Sequence, residues 1–316
     1  MQRERTPRVG RRFVLGFEGT RLPDDLVAFA RRFGLGGVIL FRRNCPDAAT
    51  VAALCDEIHR RVGEADPCGR PLVYVDQEGG RVERIHDGVP RLPPAAQLGR
   101  GGPVAVEAAA REQAAALAAL GIDVNLAPVC DVVQEGESGA IGDRSFGGDP
   151  VAVAELAAAW VRGSLSGGVL PCAKHFPGHG AAKVDSHRGL PRVDKSRQQW
   201  ASVDRPPFQA AVAAGVPLVM AAHVCFPAIH PEPATLAAGW LGEELRGGLG
   251  FRGAVISDDL EMGALAGLGS PEEVAMAALA AGCDRLIYGR MLRPDLAVEP
   301  IARRLQREQE RTDDRT

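Results

Sequence analysis

The feature that most constrains this chain is an alternation. Short β-branched or apolar runs are separated by long, alanine-rich segments with helical periodicity, and the strand-like runs occur eight times. The runs at 12–17, 37–41, 72–76, 123–127, 169–174, 218–222, 254–257 and 285–288 read as strands. Segments 23–33, 47–62, 104–120, 151–165, 207–214, 241–247 and 271–281 read as helices. Gly121, Gly215, Gly250 and Gly282 fall just before the next run, where helix C-caps sit. Strands alternating with helices predict parallel pairing, because each crossover returns the chain to the same end of the sheet. Eight strands within 316 residues predict one (β/α)8 barrel over residues 1–305. The rival is an open doubly wound sheet, but no GxGxxG or P-loop pattern follows a strand here. Residues 306–316 are all polar and predict a disordered tail.

Charge and cysteine usage exclude several functions. A net charge of −3 gives no electrostatic footprint for nucleic acid or an acidic membrane surface. Seven scattered cysteines without a CxxC pair read as buried reduced thiols. The basic N-terminus leads into an apolar run, Phe13 to Phe17, that is too short for a signal-peptide core, and Glu18 interrupts it. No later stretch approaches a membrane span, so a cytoplasmic, monomeric protein with no membrane partner is expected.

Chemistry concentrates after the fifth run, in Lys174-His175-Phe176-Pro177-Gly178-His179-Gly180 and Asp185-Ser186-His187. These positions hold three of the seven histidines, and Lys174 is one of only three lysines among 37 basic residues. Other polar groups stand at or just after strand ends: Asp76 with Gln77-Glu78-Gly79-Gly80-Arg81, Asp131, Arg144, His223 and Asp258-Asp259. A barrel gathers such residues at one mouth, and carboxylates mixed with donors suit a polyhydroxylated ligand.

Asp185 and His187 are two residues apart, which in an extended segment puts both on one side. The carboxylate can then orient one imidazole nitrogen and favour the protonated ring, leaving the other nitrogen to act as a general acid. The plainer alternative is a solvated loop pair. Of the neighbours Asp258 and Asp259, one is expected to face the mouth and one to face away, and either can instead cap a following helix. His175, His179, His187 and Asp185 also allow a metal site, although Pro177 and Gly178 forbid the helix that a His-x-x-x-His zinc pair uses.

These residues resemble the bacterial β-N-acetylglucosaminidases of glycoside hydrolase family 3. The resemblance rests on Asp76-Gln77-Glu78-Gly79-Gly80-Arg81-Val82, Asn125-Leu126-Ala127-Pro128-Val129 with Asp131, Ile141-Gly142-Asp143-Arg144-Ser145-Phe146, the lysine–histidine segment, and Ser257-Asp258-Asp259-Leu260-Glu261-Met262. It implies a retaining mechanism without cofactor or metal. Asp258 would be the nucleophile, His187 paired with Asp185 the acid/base, and Asp76, Arg144, Lys174 and His175 the holders of the terminal sugar. A histidine acid/base departs from the two-carboxylate scheme of most glycosidases and does not repel an anion, so phosphate can compete with water. The β-glucosidases of the same family are similar at Lys174-His175 and Ser257-Asp258 but take their acid/base from a second domain, for which this chain is too short. With the cytoplasmic expectation, the resemblance implies a muropeptide substrate in cell-wall recycling. A metal-dependent hydrolase and a sugar-binding protein without turnover are the competing classes.

Overall fold

The computed structural model describes residues 9–66, 69–134, 139–184, 186, 189–290 and 298–313. Its eight strands are β1 Phe13–Leu15, β2 Gly37–Leu40, β3 Leu72–Val75, β4 Val124–Asn125, β5 Leu170–Phe176, β6 Leu218–Ala221, β7 Ala254–Asp259 and β8 Arg285–Tyr288. They run parallel in sequence order and close into a barrel, with Phe13 opposite Leu286 and Leu15 opposite Tyr288 at the seam. The (β/α)8 expectation is met.

A helix follows each strand: Asp24–Phe33, Ala48–Glu57, Gly102–Ala119, Pro150–Ser166, Arg205–Ala213, Gly239–Gly248 (of π type), Pro271–Ala281 and Glu299–Asp313. Their ends carry readable signals. Asp24 and Asp25 open the first helix and Arg31 and Arg32 close it, each complementing the helix dipole. Ser270 and Glu273 cap Pro271–Ala281 reciprocally, and left-handed Gly282 ends it. The final helix continues to Asp313, so residues 306–313 are helical where a disordered tail was expected, and residues 314–316 lie outside the described residues. Arg304 bonds Glu308 at 3.0 Å and Glu272 at 2.9 Å, and Gln306 bonds Glu310 at 3.1 Å, so the polar residues support one another along the helix.

Strand periodicity sorts the core into layers. Ile39, Tyr74, Ile256 and Ile287 fill the barrel interior, while Val38, Leu40, Val73, Val75, Val255 and Leu286 pack outward against the helices. The same alternation carries Asp76, Lys174 and Asp258 inward at the ends of their strands. Below the end of β5, Phe176 packs edge-on against Phe208 at 5.2 Å and Trp240 at 6.0 Å, and Trp200 against Trp240 at 4.9 Å. Each such pair contributes about 1 kcal/mol beyond area burial. Trp200 Nε1 also donates to the Pro177 carbonyl at 2.9 Å, so the segment that leaves β5 rests on a rigid aromatic floor. The six described cysteines are buried and unpaired, and Cys68 lies outside the described residues.

Candidate functional site

A cavity of about 340 Å³ opens at the C-terminal mouth of the barrel. Asp76, Arg144, Lys174, His175 and Asp258 all line it, so the structure brings together the five described residues to which the family resemblance gave roles. Asp185 and His187 lie outside the described residues. Ser186 between them is buried, lines the same cavity and accepts a hydrogen bond from Ala264 N at 2.9 Å.

Lys174 organises the cavity floor. Its Nζ bonds Asp76 Oδ1 at 2.8 Å and Glu78 Oε1 at 2.7 Å. Glu78 in turn holds Arg144 through two bonds, Nε to Oε2 at 2.8 Å and Nη2 to Oε1 at 2.7 Å. Arg84 adds a bond to Asp76 Oδ2 at 3.2 Å. Burial raises the pKa of both carboxyls, but the cations outweigh it. Asp76 lies well below the ordinary range, chiefly through Lys174 and Arg84, and Glu78 is held at about 2 by Lys174 and Arg144. Burial likewise works against the charge of Lys174, and the two carboxylates more than offset it and raise the ammonium pKa. The array therefore stays fully ionised at neutral pH, with acceptors and donors fixed before a ligand arrives.

The loop after β3 shapes this array. Gly79 and Gly80 adopt φ of 101° and 58°, conformations open mainly to glycine, and turn the chain so that Glu78 faces back toward Lys174. Buried Gln77 pins the loop: its Oε1 accepts from Arg84 N at 2.9 Å, and its Nε2 donates to the Ile85 carbonyl at 2.8 Å.

Asp131, fully buried, fixes His175. Its Oδ2 accepts from His175 Nδ1 at 2.7 Å, while Oδ1 accepts the backbone N–H of His179 at 2.7 Å and of His175 at 3.3 Å. In the neutral ring this leaves Nε2 as an acceptor, 3.4 Å from Arg144 Nη2. A register shift between Ala173 and Phe176 breaks the strict alternation of β5, and His175 shares the cavity with Lys174. His179 also lines the cavity, and among the described residues neither ring nitrogen has a hydrogen-bond partner. Burial keeps its pKa low, so its imidazole is neutral.

Asp258 ends β7. Burial pushes its carboxyl up, but His223, His175 and the Asp259 N–H more than offset this, so it is ionised. Asp259 N donates to its Oδ1 at 2.9 Å. The expectation that one of the two neighbours turns away is corrected, because Asp259 lines the cavity too. Its Oδ1 is taken up by the N–H groups of Glu261 at 3.0 Å and Gly289 at 3.2 Å, and burial raises its pKa. Nor does it cap a helix directly: a turn follows, then the short 3₁₀ segment Gly263–Leu265. His223, to which the sequence gave no role, is buried against Thr235 Oγ1 at 2.8 Å and the Asp259 carbonyl at 3.0 Å, and so braces this turn.

Arg84 is the residue of this site that the sequence reading did not name; Glu78 and Asp131 were named among the strand-end polar groups and His179 as a candidate metal ligand, but none of the three was given a part in holding the sugar. Glu78 and Asp131 stood within the motifs, but their partners lie 66 and 44 positions away in sequence. Among the described residues no group of three or more His, Cys, Asp or Glu is arranged to hold a metal ion.

Residues 15–302 match the glycosyl hydrolase family 3 N-terminal domain. The chain is 43% identical over 300 residues to the β-hexosaminidase of Thiobacillus denitrificans, covering 92% of this chain and 80% of that one. NagZ from Neisseria gonorrhoeae superposes with a TM-score of 0.82 at 35% identity, over 93% of this chain and 85% of that one. A family 3 β-N-acetylglucosaminidase from Paenibacillus sp. FPU-7 gives 0.84 at 38% identity, over 89% of this chain but 54% of that one.

Proposed function

The chain belongs to glycosyl hydrolase family 3, and we propose that it is a retaining exo-β-N-acetylglucosaminidase that removes terminal N-acetylglucosamine from muropeptides in cell-wall recycling. The observation that carries the reading is one shared cavity: an ionised carboxylate on β7 faces an ionised Asp76–Lys174–Glu78–Arg144 array. Fixed donors and acceptors suit the hydroxyls of a single sugar ring, and the isolated carboxylate suits attack on its anomeric carbon.

In this mechanism Asp76, Arg144, Lys174 and His175 hold the terminal sugar. Asp258 attacks the anomeric carbon and forms a glycosyl-enzyme while His187, oriented by Asp185, protonates the departing oxygen. The neutral imidazole then takes a proton from water, which releases the sugar with its configuration retained. Phosphate can replace water at this step, because a histidine that has given up its proton carries no charge to repel it. Among the described residues no helix is long and apolar enough to cross a membrane.

A fluorinated N-acetylglucosaminyl inactivator tests the assignment. Mass spectrometry is expected to find the label on Asp258, and Asp258→Asn is expected to abolish turnover while leaving thermal unfolding unchanged. Label on Asp259, Glu78 or Asp185 would overturn it. Product analysis with and without phosphate separates hydrolysis from phosphorolysis.

A further inference from the structure

Arg81 stands in the same motif as Asp76 and Glu78 but takes no part in the mechanism. Its side chain is half-exposed at the rim of the cavity and reaches from the loop after β3 to the loop after β4. There Nη2 donates to two consecutive carbonyls, Ala140 at 2.7 Å and Ile141 at 2.8 Å, and Nε meets Asp143 Oδ1 at 3.1 Å. Arg144 follows directly, at the end of the short 3₁₀ turn Gly142–Arg144. The two loops therefore meet through crossed charges. Glu78 takes the side chain of Arg144, while Arg81 takes the backbone that leads into it. Among the described residues no other side chain donates to a carbonyl of residues 140–143. Glu78 occupies Nε and Nη2 of Arg144, which leaves Nη1 as the nitrogen that can turn to a ligand.

We propose that Arg81 is a positioning residue, which fixes the chain behind Arg144 and so sets where Arg144 Nη1 points. The proposal rests on the reading that Arg144 holds the terminal sugar of a β-N-acetylglucosaminide, and it adds a residue that acts through Arg144 without touching the sugar. A bidentate carboxylate fixes the plane of a guanidinium but leaves the flexible stem free to follow its backbone. Pinning the backbone as well leaves the side chain one path. The exposed pair of Arg81 with Asp143 contributes little by itself, so the two carbonyl bonds carry the effect. Only a planar fork can serve both carbonyls and the carboxylate at once.

Steady-state kinetics on an aryl β-N-acetylglucosaminide separate position from charge and from direct contact. Arg81→Gln is expected to raise KM about tenfold with kcat changed less than about twofold, because Asp258 and its strand are untouched. Arg81→Lys should behave like Arg81→Gln, since an ammonium keeps the charge and loses the fork. Asp143→Asn should cost less than about twofold. In an Arg144→Gln background Arg81→Gln should add less than about twofold to KM, because the side chain it aims is gone. Losses that multiply in the double variant would make Arg81 an independent sugar contact. Full recovery in Arg81→Lys would make charge its role, and unfolding of Arg81→Gln in thermal melts would make it a structural brace. Each of these results, or an unchanged KM in Arg81→Gln, would overturn the proposal while the activity stood. A wild-type protein that cleaves no aryl β-N-acetylglucosaminide would overturn the activity and the positioning with it.

Discussion

Glu78→Gln tests the central electrostatic argument most directly. The substitution keeps size and hydrogen-bonding capacity but removes one charge from a site where Arg144 makes two bonds and Lys174 a third. Removing one partner of such a buried network costs about 3–5 kcal/mol, because the remaining charges stay desolvated. The pH dependence gives an independent figure. Folding lowers the Glu78 pKa from 4.5 to about 2, which corresponds to about 3 kcal/mol of stability. A depressed folded-state pKa contributes stability that is fully present above about 4.5 and is lost as pH falls toward about 2. Urea unfolding at pH 7 should therefore separate wild type from variant by about 3 kcal/mol, which in thermal melts is roughly 4–5 °C in Tm. At pH 3.5 the gap should narrow by on the order of 1 kcal/mol. On an aryl β-N-acetylglucosaminide KM should rise more than tenfold, since Arg144 and Lys174 lose the carboxylate that aims them. A gap that stays constant or widens with acid, or an unchanged KM, would refute the reasoning.

Three further outcomes are expected. His187→Ala should lose most activity on poor leaving groups and least on activated aryl glycosides, with azide restoring turnover by intercepting the glycosyl-enzyme; equal losses together with failed binding would make His187 a substrate contact instead. Asp131→Asn should raise KM and lower stability by about 2 kcal/mol, because three donors converge on that carboxylate; imidazole NMR should show His175 no longer confined to one tautomer. Gly37→Ala should lower stability by about 1–3 kcal/mol in thermal melts, since an added Cβ would meet the Tyr74 ring at 2.4 Å and the Leu72 carbonyl at 2.6 Å.

The barrel was legible because its strands are apolar runs set off by glycine-capped helices, and each reading found its strand to within a few residues. β5 runs on to Phe176 rather than ending at Lys174, and Pro171 near its start did not prevent pairing. The helix Arg197–Val203 was overlooked, although Ser196 and Gln199 form a capping box visible at the right spacing. Asp76, Lys174 and Asp258 could be nominated because strand alternation points them inward. Glu78 was gathered with them as a strand-end polar group, but its pairing with Lys174 and Arg144 was not legible, since its orientation depends on two left-handed glycines. Asp131 was gathered too, but its role was not legible, because its bond to His175 spans 44 residues that periodicity does not connect. Long-range pairing of charges is a property of barrel closure, and local pattern does not record it.

The ion pairs that hold the cavity floor join β3 to β5 across β4, and the Lys174–Asp76 contact spans 98 residues. A fragment ending before β5 would place Asp76 and Glu78 side by side with no ammonium between them. Neither half of the barrel can therefore possess the site in miniature, and a nascent chain has no working pocket until the fifth strand has docked. For this protein recovery of sugar binding during refolding becomes a clock for long-range assembly, and it should lag the appearance of helical signal.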